Sequence, residues 1–240
     1  SYNAQLMRDI EDRAEDTDSI EGHMLTTLDG NTFVSSKART LSNGILRFHT
    51  DRADVAALLC VRQAKTGGVS RIASSVAVHK EMLGREPELA ALLYEPLHRA
   101  RLGEEWGGEN LSYALPVFGQ LEGRFTSHYS RTYVEAAQEM QGVPRMENRH
   151  WRALDLLAEL ADELCFEMTM QPGDMQFINN HVIYHARTAY HDHTDVSFDR
   201  RRLLHRLWLA MPNSRELPAD HAVLWRDVDA GSLRGGIAQH

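Results

Sequence analysis

Two short stretches carry the residue types that metal-assisted chemistry needs. Arg47-Phe48-His49-Thr50-Asp51 sets an imidazole and a carboxylate two positions apart. On an extended strand, residues i and i+2 project to the same face, so His49 and Asp51 supply two-thirds of a metal site. The second stretch runs from Gly173 to His185. His185, from a distant strand, would complete a face of two nitrogens and one oxygen, which leaves open positions on a non-haem Fe(II) and suits oxygen chemistry. The spelling alone is cheap: a solvent-facing polar pair also reads His-x-Asp, and His193-Thr194-Asp195 repeats it. That copy lies in the polar stretch 190–200 with no apolar strand before it, and reads as loop. His191 and His193 read as solvent-exposed.

The elements that must position these groups are those of one sizeable unit. The 240 residues carry 42% hydrophobic and 25% charged side chains, ordinary for a globular protein with a real core. A net charge of −8 argues against nucleic-acid binding, and the one concentrated basic run, Arg200-Arg201-Arg202, is too short to reverse it. No apolar run is long enough to span a bilayer and no signal peptide opens the chain, so a cytoplasmic setting is expected, with no membrane partner. Cys60 and Cys165 sit in apolar segments and are expected to be buried free thiols. Oligomeric state is not legible.

In chain order, residues 2–18 place Leu6, Ile10 and Ala14 on one face of an amphipathic surface helix. Residues 24–34 read as a hairpin turning at Asp29-Gly30-Asn31. Strands are predicted at 45–49, at 55–61 with both faces buried, and at 70–73 after a break at Thr66-Gly67-Gly68. Ser74 or Ser75 caps a helix to about Leu83, and Pro87 opens another over 88–94. Residues 98–130 read as strands, Ser130 caps a helix over 132–141, and Trp151, Leu154, Leu157, Ala161 and Leu164 mark a helix that braces a sheet. Strands follow at 166–170, 175–179 and 203–211. Ser127 to Arg131 is polar enough to reach a substrate pocket, Asn180 reads as a supporting residue, and Trp208 reads as core. The pattern predicts a mainly β fold with flanking helices: a double-stranded β-helix, or jelly-roll, barrel over residues 1–240 as a single domain.

Order and company distinguish this sequence: a strand-borne His-x-Asp, a Gly-Gly and a hydroxyl about twenty residues on, a distant His, then an Arg on the next strand. From about Phe48 to Trp208 it resembles the TauD/TfdA family of Fe(II)- and 2-oxoglutarate-dependent dioxygenases, in the branch that contains clavaminate synthase. Gly173-Asp174, Asn180, His185-Ala186-Arg187-Thr188 and Arg202-Leu203-Leu204-His205-Arg206 carry the C-terminal part of the resemblance. It implies His49, Asp51 and His185 as iron ligands and Arg202 on the distal carboxylate of 2-oxoglutarate, a task for a planar guanidinium. Ser70 takes the place of the family's usual Thr hydroxyl on that cosubstrate. Arg206, four positions on, faces the same interior and would meet an anionic group of a small-molecule substrate.

The implied reaction uses O2 and 2-oxoglutarate, releases succinate and carbon dioxide, and oxidises an unactivated carbon. Since Asp51 fills its position, hydroxylation or a related oxidation is expected rather than halogenation. Family members have a longer N-terminal region than the 48 residues ahead of His49, so the N-terminal part is expected to be incomplete. Two other readings of the ligand set stay open: a non-catalytic, cupin-like metal-binding barrel, and a zinc hydrolase, for which no Glu adjoins a His ligand.

Overall fold

The computed structural model describes residues 25–26, 32–33, 42–102, 104–105, 108–193 and 201–235. The helix expected over residues 2–18 and the turn at Asp29-Gly30-Asn31 lie outside them. The strands expected to flank that turn do pair: β1 (Leu25–Thr26) runs antiparallel to β2 (Thr32–Phe33).

The two largest sheets are antiparallel. The first orders β11 (Phe166–Met168), β6 (Ser70–Ser74), β13 (Ile183–Arg187) and β3 (Leu46–His49). The second orders β12 (Met175–Asn179), β4 (Val55–Arg62) and β15 (Leu203–Leu209). Smaller pairs are β5 (Thr66–Gly67) with β14 (Tyr190–His191), β7 (Leu97–Ala100) with β8 (Ser112–Leu115), and β9 (Phe118–Leu121) with β10 (Arg124–Ser127). Among the described residues no ladder closes either large sheet on itself. The fold is thus strands with flanking helices, arranged as two open sheets.

Alternation decides what each sheet face holds. In the first sheet, Phe48, Ala73, Tyr184 and Ala186 point outward into the main core. There they meet α1 (Ser75–Arg85), α2 (Pro87–Leu92) and α4 (Asn148–Glu163), whose Val78, Met82, Leu154, Leu157 and Leu160 are fully buried. The brace expected from the Trp151–Leu164 periodicity is therefore present, and Ser74 caps α1 by accepting the Ala77 N–H. A shorter α3 (Arg131–Gln138) follows β10; Ser130 holds its cap position without a side-chain cap bond. The opposite residues, His49, Ser70, Ile72 and His185, face the second sheet.

Three expectations are corrected. β4 is not buried on both faces, because Leu59 is 36% exposed beside Met175 at 65% and Phe177 at 64% on the outer face of the second sheet. Tyr190–His191, read as loop, pairs with Thr66–Gly67, a backbone match that polar composition does not announce. Cys60 is buried but Cys165 only half so; both thiols are free. Among the described residues no helix is long and apolar enough to cross a membrane.

Candidate metal centre

The two histidines meet by register. His185 of β13 lies directly opposite His49 of β3, and their rings are 4.1 Å apart between centroids. Asp51, just past the end of β3, turns its carboxylate between them: Oδ1 is 3.7 Å from His49 Nε2 and Oδ2 is 3.7 Å from His185 Nε2. The three ligand atoms lie within 4.8 Å of one another.

Their chemistry fits a divalent metal. His49 Nδ1 donates to the Arg47 carbonyl at 2.9 Å; since a carbonyl only accepts, the proton is on Nδ1 and the Nε2 lone pair is free for a ligand bond. His185 Nδ1 is buried without a partner. Burial pushes both imidazoles down from their ordinary pKa, and for His49 the neighbouring His185 adds to it, so both stand neutral, as ligation requires. Burial pushes the Asp51 carboxyl up, but the Arg206 guanidinium and the Trp208 N–H outweigh it and hold the group ionised.

The loop carrying Asp51 is gripped from several sides. The Asp51 N–H donates to Asn180 Oδ1 at 3.0 Å, so the turn between β12 and β13 fixes the ligand's backbone. Thr50 donates its N–H to the Tyr129 carbonyl at 2.8 Å and receives the Tyr129 N–H on its hydroxyl at 3.1 Å. Thr50 Oγ1 also bonds His128 Nδ1, and Ser127 bonds the Val117 carbonyl and the Tyr184 hydroxyl. Within Ser127 to Arg131, the stretch polar enough to reach a substrate pocket, Ser127 to Tyr129 are buried and anchor the Asp51 loop and the core. Asp54 ties in the C-terminal segment: its carboxylate accepts from Arg234, His181 and the Met211 N–H.

The second sheet supplies the other side. Gln176, Leu58 and Arg206 share one row across it, and Ile178, Ala56 and Trp208 the next. From those rows Trp208 Nε1 donates to Asp51 Oδ2 at 2.7 Å and Arg206 Nη1 to Oδ1 at 3.3 Å. Trp208 is therefore a partner of the ligand carboxylate rather than a core residue; an indole on a strand reads as core, and only the register reveals its N–H. Ser70 Oγ crosses the sheets to Gln176 Oε1 at 3.2 Å.

Arg202 stands apart from the triad, ahead of β15. Its guanidinium lies over the Tyr190 ring, 5.0 Å from the centroid, and has no carboxylate partner among the described residues. Burial pushes its pKa down, and it presses in turn on Arg187, lowered to about 10 by burial and by Arg202. Arg187 is the cross-strand partner of Ser70, so Arg202 and Ser70 belong to the same end of the first sheet. The Gly-Gly break makes this approach possible: Gly68 has φ +71, and a Cβ there would meet Arg202 Nε at 2.9 Å.

The sequence matches the taurine catabolism dioxygenase TauD, TfdA family over residues 5–208, most of its length, and the chain belongs to that family. It is 36% identical over 180 residues to FR-33289 synthase of Streptomyces rubellomurinus, covering 74% of this chain and 53% of that protein. It is 27% identical over 164 residues to uridine-5'-phosphate dioxygenase of an Amycolatopsis species, covering 65% of this chain and 56% of that one. The chain spans about half the length of the curated relatives it matches. Asparagine oxygenase, solved with Fe(II), 2S,3S-3-hydroxyasparagine and succinate, shares the fold with a TM-score of 0.54 at 19% identity, over 80% of this chain and 57% of that one.

Proposed function

We propose that the protein is an Fe(II)- and 2-oxoglutarate-dependent dioxygenase that hydroxylates or otherwise oxidises a small anionic or amino-acid-like substrate, releasing succinate and carbon dioxide. The observation that carries the reading is the convergence of two neutral imidazoles and one ionised carboxylate, three donors among the described residues that would leave coordination positions for exogenous ligands. Membership of the family and the hydroxyasparagine complex of a structural relative support the oxidation and the substrate class. In this reading residues 1–240 belong to one dioxygenase domain, and the two facing sheets are the halves of a jelly-roll barrel.

Bound iron would supply activation of dioxygen, with 2-oxoglutarate as the co-reductant. The protein's own part is placement. His49, Asp51 and His185 would hold the metal, with Asn180 fixing the Asp51 backbone and Trp208 its carboxylate. Arg202 would take the distal carboxylate of 2-oxoglutarate through both oxygens, which gives its half-buried charge a partner, and Ser70 would add a hydroxyl donor. Arg206 faces the same interior as the ligands and would meet the substrate's anionic group.

Neither alternative accounts for the same features. A metal-binding barrel has no use for Arg202, whose guanidinium has no carboxylate partner among the described residues. A zinc hydrolase needs a general base, yet the groups that reach Asp51 are the donors Arg206 and Trp208. Incubation with Fe(II), 2-oxoglutarate and air should give succinate in the wild type and none in Asp51→Ala. Succinate formation that survives the substitution would refute the ligand assignment.

A further inference from the structure

The segment that follows β13 carries residues to which the proposed reaction gives no part. Its polar composition reads as loop, yet Tyr190–His191 pairs with Thr66–Gly67 as β14. That pairing sets the Tyr190 ring against two guanidiniums: Arg187 lies 4.7 Å and Arg202 5.0 Å from its centroid. Cations so close together repel, and burial adds to the cost, so both are pushed below the ordinary arginine pKa. An electron-rich ring face offsets part of that cost.

The two arginines are held differently. Arg187 is tethered, because its Nη2 donates to the Ser42 and Gly44 carbonyls at 2.7 Å each. The Tyr190 N–H donates to the Asn43 carbonyl at 3.0 Å, so residues 42–44 fix both the ring's backbone and its first cation. Arg202 is held by its main chain, whose N–H donates to Asp192 Oδ1 at 3.0 Å and Oδ2 at 3.1 Å. Its guanidinium rests on the Tyr190 ring and has no carboxylate partner among the described residues. Asp192 is two residues from Tyr190, so one short segment grips Arg202 at backbone and head. Gly68 packs against the pair: a Cβ there would meet Arg202 Nε at 2.9 Å and Tyr190 Cβ at 3.5 Å.

A long side chain whose head has no fixed partner must be ordered when a ligand arrives, and that ordering costs affinity. A ring face that already orders it removes the cost. We propose that Tyr190 is a positioning residue of the cosubstrate seat: it holds the Arg202 guanidinium in place to receive the distal carboxylate of 2-oxoglutarate, while Arg187 anchors the ring. The inference rests on the proposed oxygenase reading and on the part Arg202 plays in it.

The test measures 2-oxoglutarate affinity by calorimetry on the full chain loaded with Mn(II), without oxygen. Tyr190→Phe, which keeps a ring face, should stay within about two-fold of the wild type, and Tyr190→Leu should lose about ten-fold. Mn(II) affinity should be unchanged in both. Tyr190→Met takes the place of a leucine variant that fails to fold. A double-mutant cycle then reads whether the ring acts through the guanidinium: in an Arg202→Ala background, Tyr190→Leu should cost nothing further. Wild-type affinity in Tyr190→Leu, or the same loss in the Arg202→Ala background, would overturn the positioning role and leave the oxygenase reading standing. Equal weakening of Mn(II) and 2-oxoglutarate would also overturn it, by showing that the ring serves folding. A Mn(II)-loaded wild type that binds no 2-oxoglutarate would sink the oxygenase reading and this inference with it.

Discussion

At the scale of single residues, the candidate metal centre depends on Asp51, which is held from three directions. Asn180 fixes the Asp51 backbone, Trp208 holds Oδ2 and Arg206 reaches Oδ1. The indole makes the shortest of these bonds, and phenylalanine keeps an aromatic ring there while removing the donor. Trp208→Phe should therefore weaken Mn(II) binding by about ten- to a hundred-fold, the usual effect of losing a partner to a ligand. Titration followed by electron paramagnetic resonance measures it, and unchanged affinity would show that the bond does not orient the ligand. The spacing of His49 and Asp51 singled the pair out, but β3 ends at His49, so the loop rather than strand alternation sets Asp51 beside it. Trp208 was not legible, since its role depends on which atom its ring edge meets across two sheets.

At the scale of elements, the site is made by register and by close approach. His49 and His185 become neighbours because β3 and β13 pair with those residues opposite, something no local pattern encodes. Strand existence was readable from periodicity: β12 was bounded correctly and β15 ended two residues before its expected limit. Pairing order was not, because β11 and β6 are joined across almost a hundred residues by main-chain bonds indifferent to side-chain type. The β5–β14 pair was missed for the same reason, yet it sets the seat of Arg202. Gly68→Ala should strain a backbone at φ +71 by about 1–2 kcal/mol and push on the Arg202 guanidinium. The expected result is a several-fold loss of 2-oxoglutarate affinity with metal affinity intact. Loss of both together would place the glycine's role in folding rather than in seating Arg202.

At the scale of the whole molecule, the C-terminal segment closes over the metal loop through a cluster of buried imidazoles. His128, His181 and His221 are all pushed below their ordinary pKa by burial, and His221 falls from 6.5 to about 4. A lowered folded-state pKa means that the unfolded chain binds the proton first. Stability from these groups is thus full above pH 6.5 and is lost as pH falls toward 4, by roughly 3 kcal/mol for His221. His221→Phe should flatten the fall in melting temperature between pH 6.5 and 4. An unaltered slope would show that His221 does not titrate on unfolding.

The same scale holds the central claim, that triad and Arg202 act together as a site for iron and 2-oxoglutarate. Anaerobic titration of the Fe(II)-loaded protein with 2-oxoglutarate tests it most directly, through the weak visible charge-transfer band of a chelate. The band should appear in the wild type, shift to much higher 2-oxoglutarate concentration in Arg202→Ala, and be absent in Asp51→Ala. Iron binding with no band at any 2-oxoglutarate concentration would contradict the account.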